Sequence, residues 1–162
     1  MRTVTSIKAL RRALAPLRQR RLSVGFVPTM GAFHAGHVSL MKASRRDNDV
    51  TVVSLFVNPI QFGPGEDLAK YPRDLKRDAA VARAAGVDIL FVPSVHEMYP
   101  RPPSTFVDPG PAADILCGAS RPGHFRGVAT VVAKLLHITA PDVMYLGRKD
   151  AQQAEVSRRM VA

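Results

Sequence analysis

Three times along this chain a short apolar run stops at a proline: Val24-Gly25-Phe26-Val27-Pro28, Val52-Val53-Ser54-Leu55-Phe56-Val57-Asn58-Pro59 and Ile89-Leu90-Phe91-Val92-Pro93. Runs without polar alternation belong to strands covered on both faces, as in parallel sheets. Proline lacks the N–H a central strand must donate, so each run is expected to end there. A fourth run, Val143-Met144-Tyr145-Leu146, ends at Gly147. Helical patterns lie between the runs. Residues from about Gly36 to Arg46 carry Val38, Leu40 and Met41. Residues from about Asp74 to Ala85 carry Leu75, Ala79, Val81 and Ala82, with Gly86 as a stop. Residues Gly127 to His137 carry five regularly placed apolar side chains, and Asp150 stands in capping position for a last helix from Ala151. Strand and helix in alternation predict an α/β fold, a Rossmann-like doubly wound parallel sheet with flanking helices. Ligands of such sheets bind outside the carboxyl ends of the strands.

The 162 residues are expected to form one domain. No apolar run approaches the roughly 18 residues of a membrane span, and no signal-peptide pattern opens the chain, so the sequence reads as soluble and cytoplasmic. A single cysteine, Cys117, excludes an internal disulfide framework and a multi-thiolate zinc site; it is expected to be a structural thiol. The 23 Lys+Arg against 13 Asp+Glu leave a formal charge of +10. A polyanion partner is one reading of that charge. The densest cluster, from Lys8 to Arg21, is instead the solvated side of an amphipathic helix whose apolar side is Ile7, Leu10, Leu14 and Leu17. No aromatic residue is interleaved there to stack on bases, so nucleic acid is not the expected partner.

The chemistry concentrates after the first run, in Pro28-Thr29-Met30-Gly31-Ala32-Phe33-His34-Ala35-Gly36-His37. His34 and His37, three residues apart, put two imidazoles side by side on one helical turn. Gly31 and Gly36 let the backbone turn and approach a ligand, and the N–H groups opening the next helix favour an anion. Together they suit a polyphosphate, with imidazole donors facing developing negative charge. The same histidines could ligate a metal, but no third ligand stands nearby in sequence; two solvent-facing histidines in a turn are the plainer alternative. Two long connections, Pro59 to Pro72 with Gly63, Pro64 and Gly65, and Tyr99 to the proline-rich stretch ending at Pro111, break the alternation. The first leaves a strand end directly and is expected to be functional.

The HxGH element resembles the nucleotide-binding signature of nucleotidylyltransferases and class I aminoacyl-tRNA synthetases. The longer string Pro28 to His34 resembles the pantothenate synthetase (pantoate–β-alanine ligase) family. Three further blocks agree in order: Phe56-Val57-Asn58-Pro59-Ile60-Gln61-Phe62-Gly63, Ser120 to Val128 reading SRPGHFRGV, and Gly147-Arg148-Lys149-Asp150-Ala151-Gln152-Gln153. Tyr71-Pro72-Arg73, with Asp78 five residues on, completes the pattern.

The resemblance implies ATP-dependent ligation of pantoate to β-alanine through a pantoyl adenylate, with ATP and Mg2+ required. It implies that His34, His37 and Lys149 are catalytic and meet the ATP phosphates. Met30 and Gly147 would offer backbone to the nucleotide, and Asp150 would accept from the ribose hydroxyls. Gln61 and Gln153 would hold pantoate, with Asn58 beside Gln61 and Tyr71 closing over the pocket. Arg121 and His124 would line the β-alanine side, and Asp78 would organise magnesium and phosphate. Plainer roles stand beside these. Asn58 could simply shape a turn, Asp150 could cap its helix, Gln152 reads as a solvated helix residue, and His96 and His137 match no motif. Residues 1–162 are expected to form the ATP- and pantoate-binding domain without the family's smaller C-terminal domain, whose connection carries a Ser-Ser-Arg segment not found in this sequence. A pocket left open on that side would ligate weakly or not at all. A homodimer is expected from the resemblance. Another HxGH nucleotidylyltransferase, or a non-catalytic binding module, is the alternative.

Overall fold

A computed structural model of the chain describes residues 1–63, 65–66 and 68–162; Pro64, part of the connection expected to be functional, and Asp67 lie outside the described residues. Five strands, β1 (Arg2–Val4), β2 (Val24–Thr29), β3 (Val50–Leu55), β4 (Ile89–Phe91) and β5 (Val143–Met144), form one sheet in the order β1-β4-β3-β2-β5. Every pairing is parallel, as the unbroken apolar runs require. The main helices are α1 (Ile7–Gln19), α2 (Ala35–Asp47), α3 (Leu75–Ala84), α6 (His124–Thr139) and α7 (Ala151–Val161). Two single turns, α4 (Val95–Met98) and α5 (Cys117–Ser120), lie between α3 and α6.

Strand residues alternate between two cores, as a period of two demands. Val24, Phe26, Val52 and Phe91 face α1 and α6 through Leu10, Leu14, Val128, Val132 and Leu135. Val27, Val53 and Leu90 face α2 and α3 through Met41 and Ala82. Phe26 is fully buried at the centre, and truncating such a residue to alanine costs about 3–5 kcal/mol. The winding reverses at β2: α2 leaves it toward β3 on one face, while α6 delivers the chain to β5 from the other. That reversal opens a crevice between the carboxyl ends of β2 and β5.

Two sequence expectations change. β1 is an edge strand of three residues, paired through Thr3 and Leu90; with one inward apolar residue it carries no readable period. Pro28 lies inside β2, not beyond it. The carbonyls of Val24 and Phe26 accept from Asp142 and Tyr145 on the β5 side, whereas Thr29 accepts from Phe56 on the β3 side. Pro28 therefore directs its nitrogen toward β5 just past that strand's end, where no donor is needed. α3 runs as expected from its Asp74 cap to Gly86, whose φ is +82°.

α6 begins at His124, ahead of the expected start, and presses on the 3-10 turn Pro59–Gln61 that follows β3. At Gly127 a Cβ would stand 2.4 Å from the Ile60 carbonyl oxygen and 2.8 Å from the Gln61 nitrogen, so glycine permits this contact. The proline-rich connection lies along the same helix: the Val107 N–H donates to Thr130 Oγ1 at 3.0 Å, and the Arg126 guanidinium sits 4.2 Å from the centre of the Phe106 ring. Among the described residues no helix is long and apolar enough to cross a membrane.

Candidate active site

β2 ends at Thr29, whose hydroxyl donates to the Ser54 carbonyl at 2.6 Å and accepts from the Gly31 N–H at 3.3 Å. The chain then takes two left-handed steps, at Gly31 (φ +91°) and Ala32 (φ +53°). A Cβ at Gly31 would lie 2.9 Å from Asp78 Oδ2. Asp78 explains the turn. Its two carboxylate oxygens accept the Ala32 and Phe33 N–H groups, each at 2.8 Å, and the residue is 1% exposed. Each oxygen thus supports the backbone beneath the HxGH loop and keeps a second lone pair. A carboxylate accepting N–H groups in a dry site is costly to remove, since it would strand two buried donors.

His34 and His37 open α2 as a reciprocal cap. His34 Nδ1 accepts the Gly36 N–H at 3.1 Å, and His37 Nδ1 accepts the His34 N–H at 3.4 Å. A nitrogen that accepts cannot carry the proton, so each neutral ring holds its hydrogen on Nε2. The ring centres are 4.2 Å apart, giving two adjacent Nε2–H donors at a helix N-terminus. Burial first, then the charges of His34 and Lys149, push the His37 pKa down, while Asp78 and Asp150 oppose the shift. Lys149 and Asp150, whose charges act on His37, lie on the 3-10 turn Arg148–Asp150 after β5. Asp150 occupies the N-cap position of α7 but makes no side-chain capping bond, and its side chain is exposed. Gly147 precedes that turn, and a Cβ there would find only Leu40 Cδ1, at 3.9 Å. Gln153 follows on the first turn of α7, half-buried.

The end of β3 builds a second cluster. Asn58 is 1% exposed and makes more than a turn: its Nδ2 donates to Gln61 Oε1 at 3.0 Å and to the Gly127 carbonyl at 3.2 Å, and its Oδ1 accepts from the Tyr99 hydroxyl at 2.9 Å. Gln61 Nε2 faces Met30 Sδ at 3.3 Å, which brings this cluster against the end of β2. Tyr71 packs edge-on against Phe62, and burial raises its pKa.

Arg121 and His124, at the start of α6, join the cluster. His124 Nδ1 meets the Gln61 carbonyl at 2.9 Å and Nε2 meets Arg121 Nη1 at 3.0 Å. Arginine only donates, so Nε2 accepts and the proton sits on Nδ1; burial lowers this pKa, and Asp150 is near enough to raise it in part. The remaining donors of Arg121 clasp Glu66 in two parallel contacts, through Nε and, at 3.0 Å, Nη2. Glu66 is held at about 2 by Arg121 first and then by the Gly63 N–H. The Gln61–Met30 contact joins the two clusters, and the Asp150 charge acts on both His37 and His124. Sequence reasoning passed over Glu66 and Tyr99, whose partners lie 55 and 41 residues away. It also misread Gln152, which is no solvated residue: its amide accepts from the Cys117 N–H and donates to the Ala112 and Ile115 carbonyls, fastening α7 to the segment before α5.

Comparison with known proteins places this cleft in context. The family described as pantoate-beta-alanine ligase matches residues 2–162. Pantothenate synthetase 1 of Bradyrhizobium diazoefficiens is 58% identical over 160 residues, 99% of this chain and 56% of that protein. The pantothenate synthetase of Moorella thermoacetica is 56% identical over 99% of this chain and 57% of its own length. Among solved structures, the pantothenate synthetase of Thermus thermophilus superposes with a TM-score of 0.93 at 54% identity, covering 99% of this chain and 57% of that one. The Francisella tularensis pantoate-beta-alanine ligase, described as complexed with beta-gamma ATP and beta-alanine, superposes at 0.95 with 44% identity, over 99% and 62% of the two chains. The present chain thus spans a little over half the length of these relatives.

Proposed function

This chain belongs to the pantoate-beta-alanine ligase family, and from that premise we propose that its cleft binds ATP and pantoate and activates pantoate for ligation to β-alanine. One observation carries the reading: the reciprocal cap of His34 and His37 holds both Nδ1 atoms against backbone N–H groups and keeps two Nε2–H donors side by side at the helix opening. Charge developing on phosphate oxygens would meet preorganised donors there, the arrangement that lowers such barriers most. Lys149 adds a point charge, suited to phosphate. Asp150, unbound as a cap, can accept from ribose hydroxyls, with the Gly147 and Met30 backbones alongside.

In the first step a pantoate carboxylate oxygen attacks the α-phosphorus of ATP; the bond to the β-phosphate oxygen breaks and pyrophosphate leaves. In the second, the β-alanine nitrogen attacks the acyl carbon, AMP departs, and the nitrogen loses its proton as the amide of pantothenate forms. Gln61, Asn58 and Gln153 serve pantoate, Tyr71 shields it, and Arg121 with His124 serves the β-alanine carboxylate. Positioning the two reactants in one cleft supplies much of the acceleration. Magnesium would enter with ATP as MgATP, and Asp78, each of whose oxygens accepts one backbone N–H and keeps a second lone pair, would help organise the magnesium and phosphate region. Cytoplasmic residence and a homodimer belong to the same reading on the family resemblance.

Exchange of labelled pyrophosphate into ATP tests it. Exchange that requires pantoate supports the reading. Exchange that proceeds without pantoate would point to another nucleotidylyl transfer, and steeply salt-dependent RNA binding that ignores pantoate would point to a binding module.

A further inference from the structure

The second cluster contains a chain of hydrogen bonds whose direction is fixed from one end. The Gly127 carbonyl can only accept, so the Asn58 atom 3.2 Å from it is the amide nitrogen. The other Asn58 atom, Oδ1, then faces the Tyr99 hydroxyl at 2.9 Å, which donates. The second hydrogen of Asn58 Nδ2 goes to Gln61 at 3.0 Å, and the Gln61 atom that receives it is Oε1. The NH2 end of Gln61 is left pointing at Met30, toward the nucleotide side of the cleft. Every amide end in the relay is assigned by its partner's chemistry. Asn58 and Gln61 are buried, so a reversed amide would set two acceptors or two donors against each other with no water to relieve them.

Tyr99 is built for this task. Burial pushes its pKa up to about 12, so the hydroxyl keeps its proton at any physiological pH. Its ring is held independently of the hydroxyl, 6.1 Å from Phe56 and beneath the Lys134 ammonium at 5.1 Å. It stands at the end of α4 (Val95–Met98), where the proline-rich connection begins.

We propose that Tyr99 is a positioning residue for the acid subsite: the Gly127 carbonyl sets the sense of the Asn58 amide, and the Tyr99 hydroxyl, donating to Asn58 Oδ1, holds that amide in place so that Gln61 keeps its N–H donor facing the cleft and accepts a ligand through an oxygen. The assignment to pantoate rests on the functional reading above; the relay itself does not. Tyr99→Phe keeps the ring and removes only the donor. In the 162-residue chain, the Gln61 side-chain amide, identified by its disappearance in Gln61→Ala, is expected to give one slowly exchanging pair of NMR signals. In Tyr99→Phe its hydrogen exchange should quicken at least severalfold. In the presence of ATP, pantoate should bind the variant about tenfold more weakly while ATP affinity stays within twofold, a split that general destabilisation would not produce. An unchanged Gln61 amide, or equal weakening of ATP and pantoate, overturns the relay. Wild-type chain that ignores pantoate while its Gln61 amide still responds to Tyr99→Phe overturns the functional reading and leaves the relay standing.

Discussion

The two sides of the cleft are held by different kinds of contact. On the side proposed for the nucleotide, the residues secure one another over two or three positions: His34 to Gly36, His37 to His34, with one distant carboxylate, Asp78, underneath. On the side proposed for the acid, two contacts are short, Asn58 to Gln61 and Arg121 to His124, but those that assemble the cluster are remote, with separations of 41 for Tyr99 to Asn58, 69 for Asn58 to Gly127, 63 for His124 to Gln61 and 55 for Arg121 to Glu66. The first side is formed by local backbone geometry once its loop is supported. The second exists only when β3, the proline-rich connection and α6 are all in place. Preformed donors suit a phosphate chain whose charge is the same in every use, whereas a remote network can grade the fit of one particular acid.

The largest effect should come from removing the one remote support of the local side. Asp78→Ala strands two buried N–H groups and is expected to cost about 3–5 kcal/mol, lowering Tm by roughly 6–15 °C for a domain of this size, with ATP binding lost alongside. Calorimetry checks it; a Tm within about 2 °C of wild type, less than 1 kcal/mol would produce, would show that the loop stands without Asp78. Next, His34→Ala or His37→Ala should reduce pantoate-dependent pyrophosphate exchange about 100-fold or more, as loss of a preorganised donor does. Stability should fall by only about 1 kcal/mol, the worth of a helix cap. Equal losses of rate and stability would erase the distinction between the two sides.

Acid should weaken the cleft in two stages. His37 and His124 have pKa values below the ordinary 6.5, so the unfolded chain binds more protons than the folded one as pH drops below about 6.5. Their contribution is present above that pH and is lost as pH falls through the folded values. Glu66, lowered from 4.5 to about 2, contributes above 4.5 and loses that contribution only between 4.5 and 2. Thermal melts across this range should show both declines. His37→Asn should flatten the upper one, and Glu66→Gln the lower. The smallest effect is Glu66→Gln at neutral pH. Its pair with Arg121 is about one third exposed on each side, so Tm should move by no more than about 3 °C, while proteolysis within residues 62–72 quickens.

The same division decides how much of the molecule is legible in its sequence. The HxGH pair, the apolar runs and the helix between them are short-range patterns, and they appear close to where the sequence places them, although β3 closes at Leu55, ahead of the expected stop at Pro59. Asp78 is visible as a motif residue, but its task is not, because nothing in sequence shows that two N–H groups 45 and 46 residues away point at it. Tyr99 and Glu66 carry no local signal at all, and Gln152 reads as solvated because its three partners lie in a different segment. Pro28 is instructive in the other direction. The rule that stops strands at proline is sound, yet it acts on one side of a strand, and here that side has no neighbour left.

One measurement reaches the central claim, that a single cleft holds the nucleotide at the ends of β2 and β5 and the acid at the end of β3. Backbone amide signals of the 162-residue chain can be followed by NMR while ATP and then pantoate are added. The account predicts that ATP moves residues 31–38 and 147–150, and that pantoate then moves residues 58–62 with Gln153. Pantoate shifts confined to some other surface, or ATP shifts that leave His34 and His37 untouched, would contradict it.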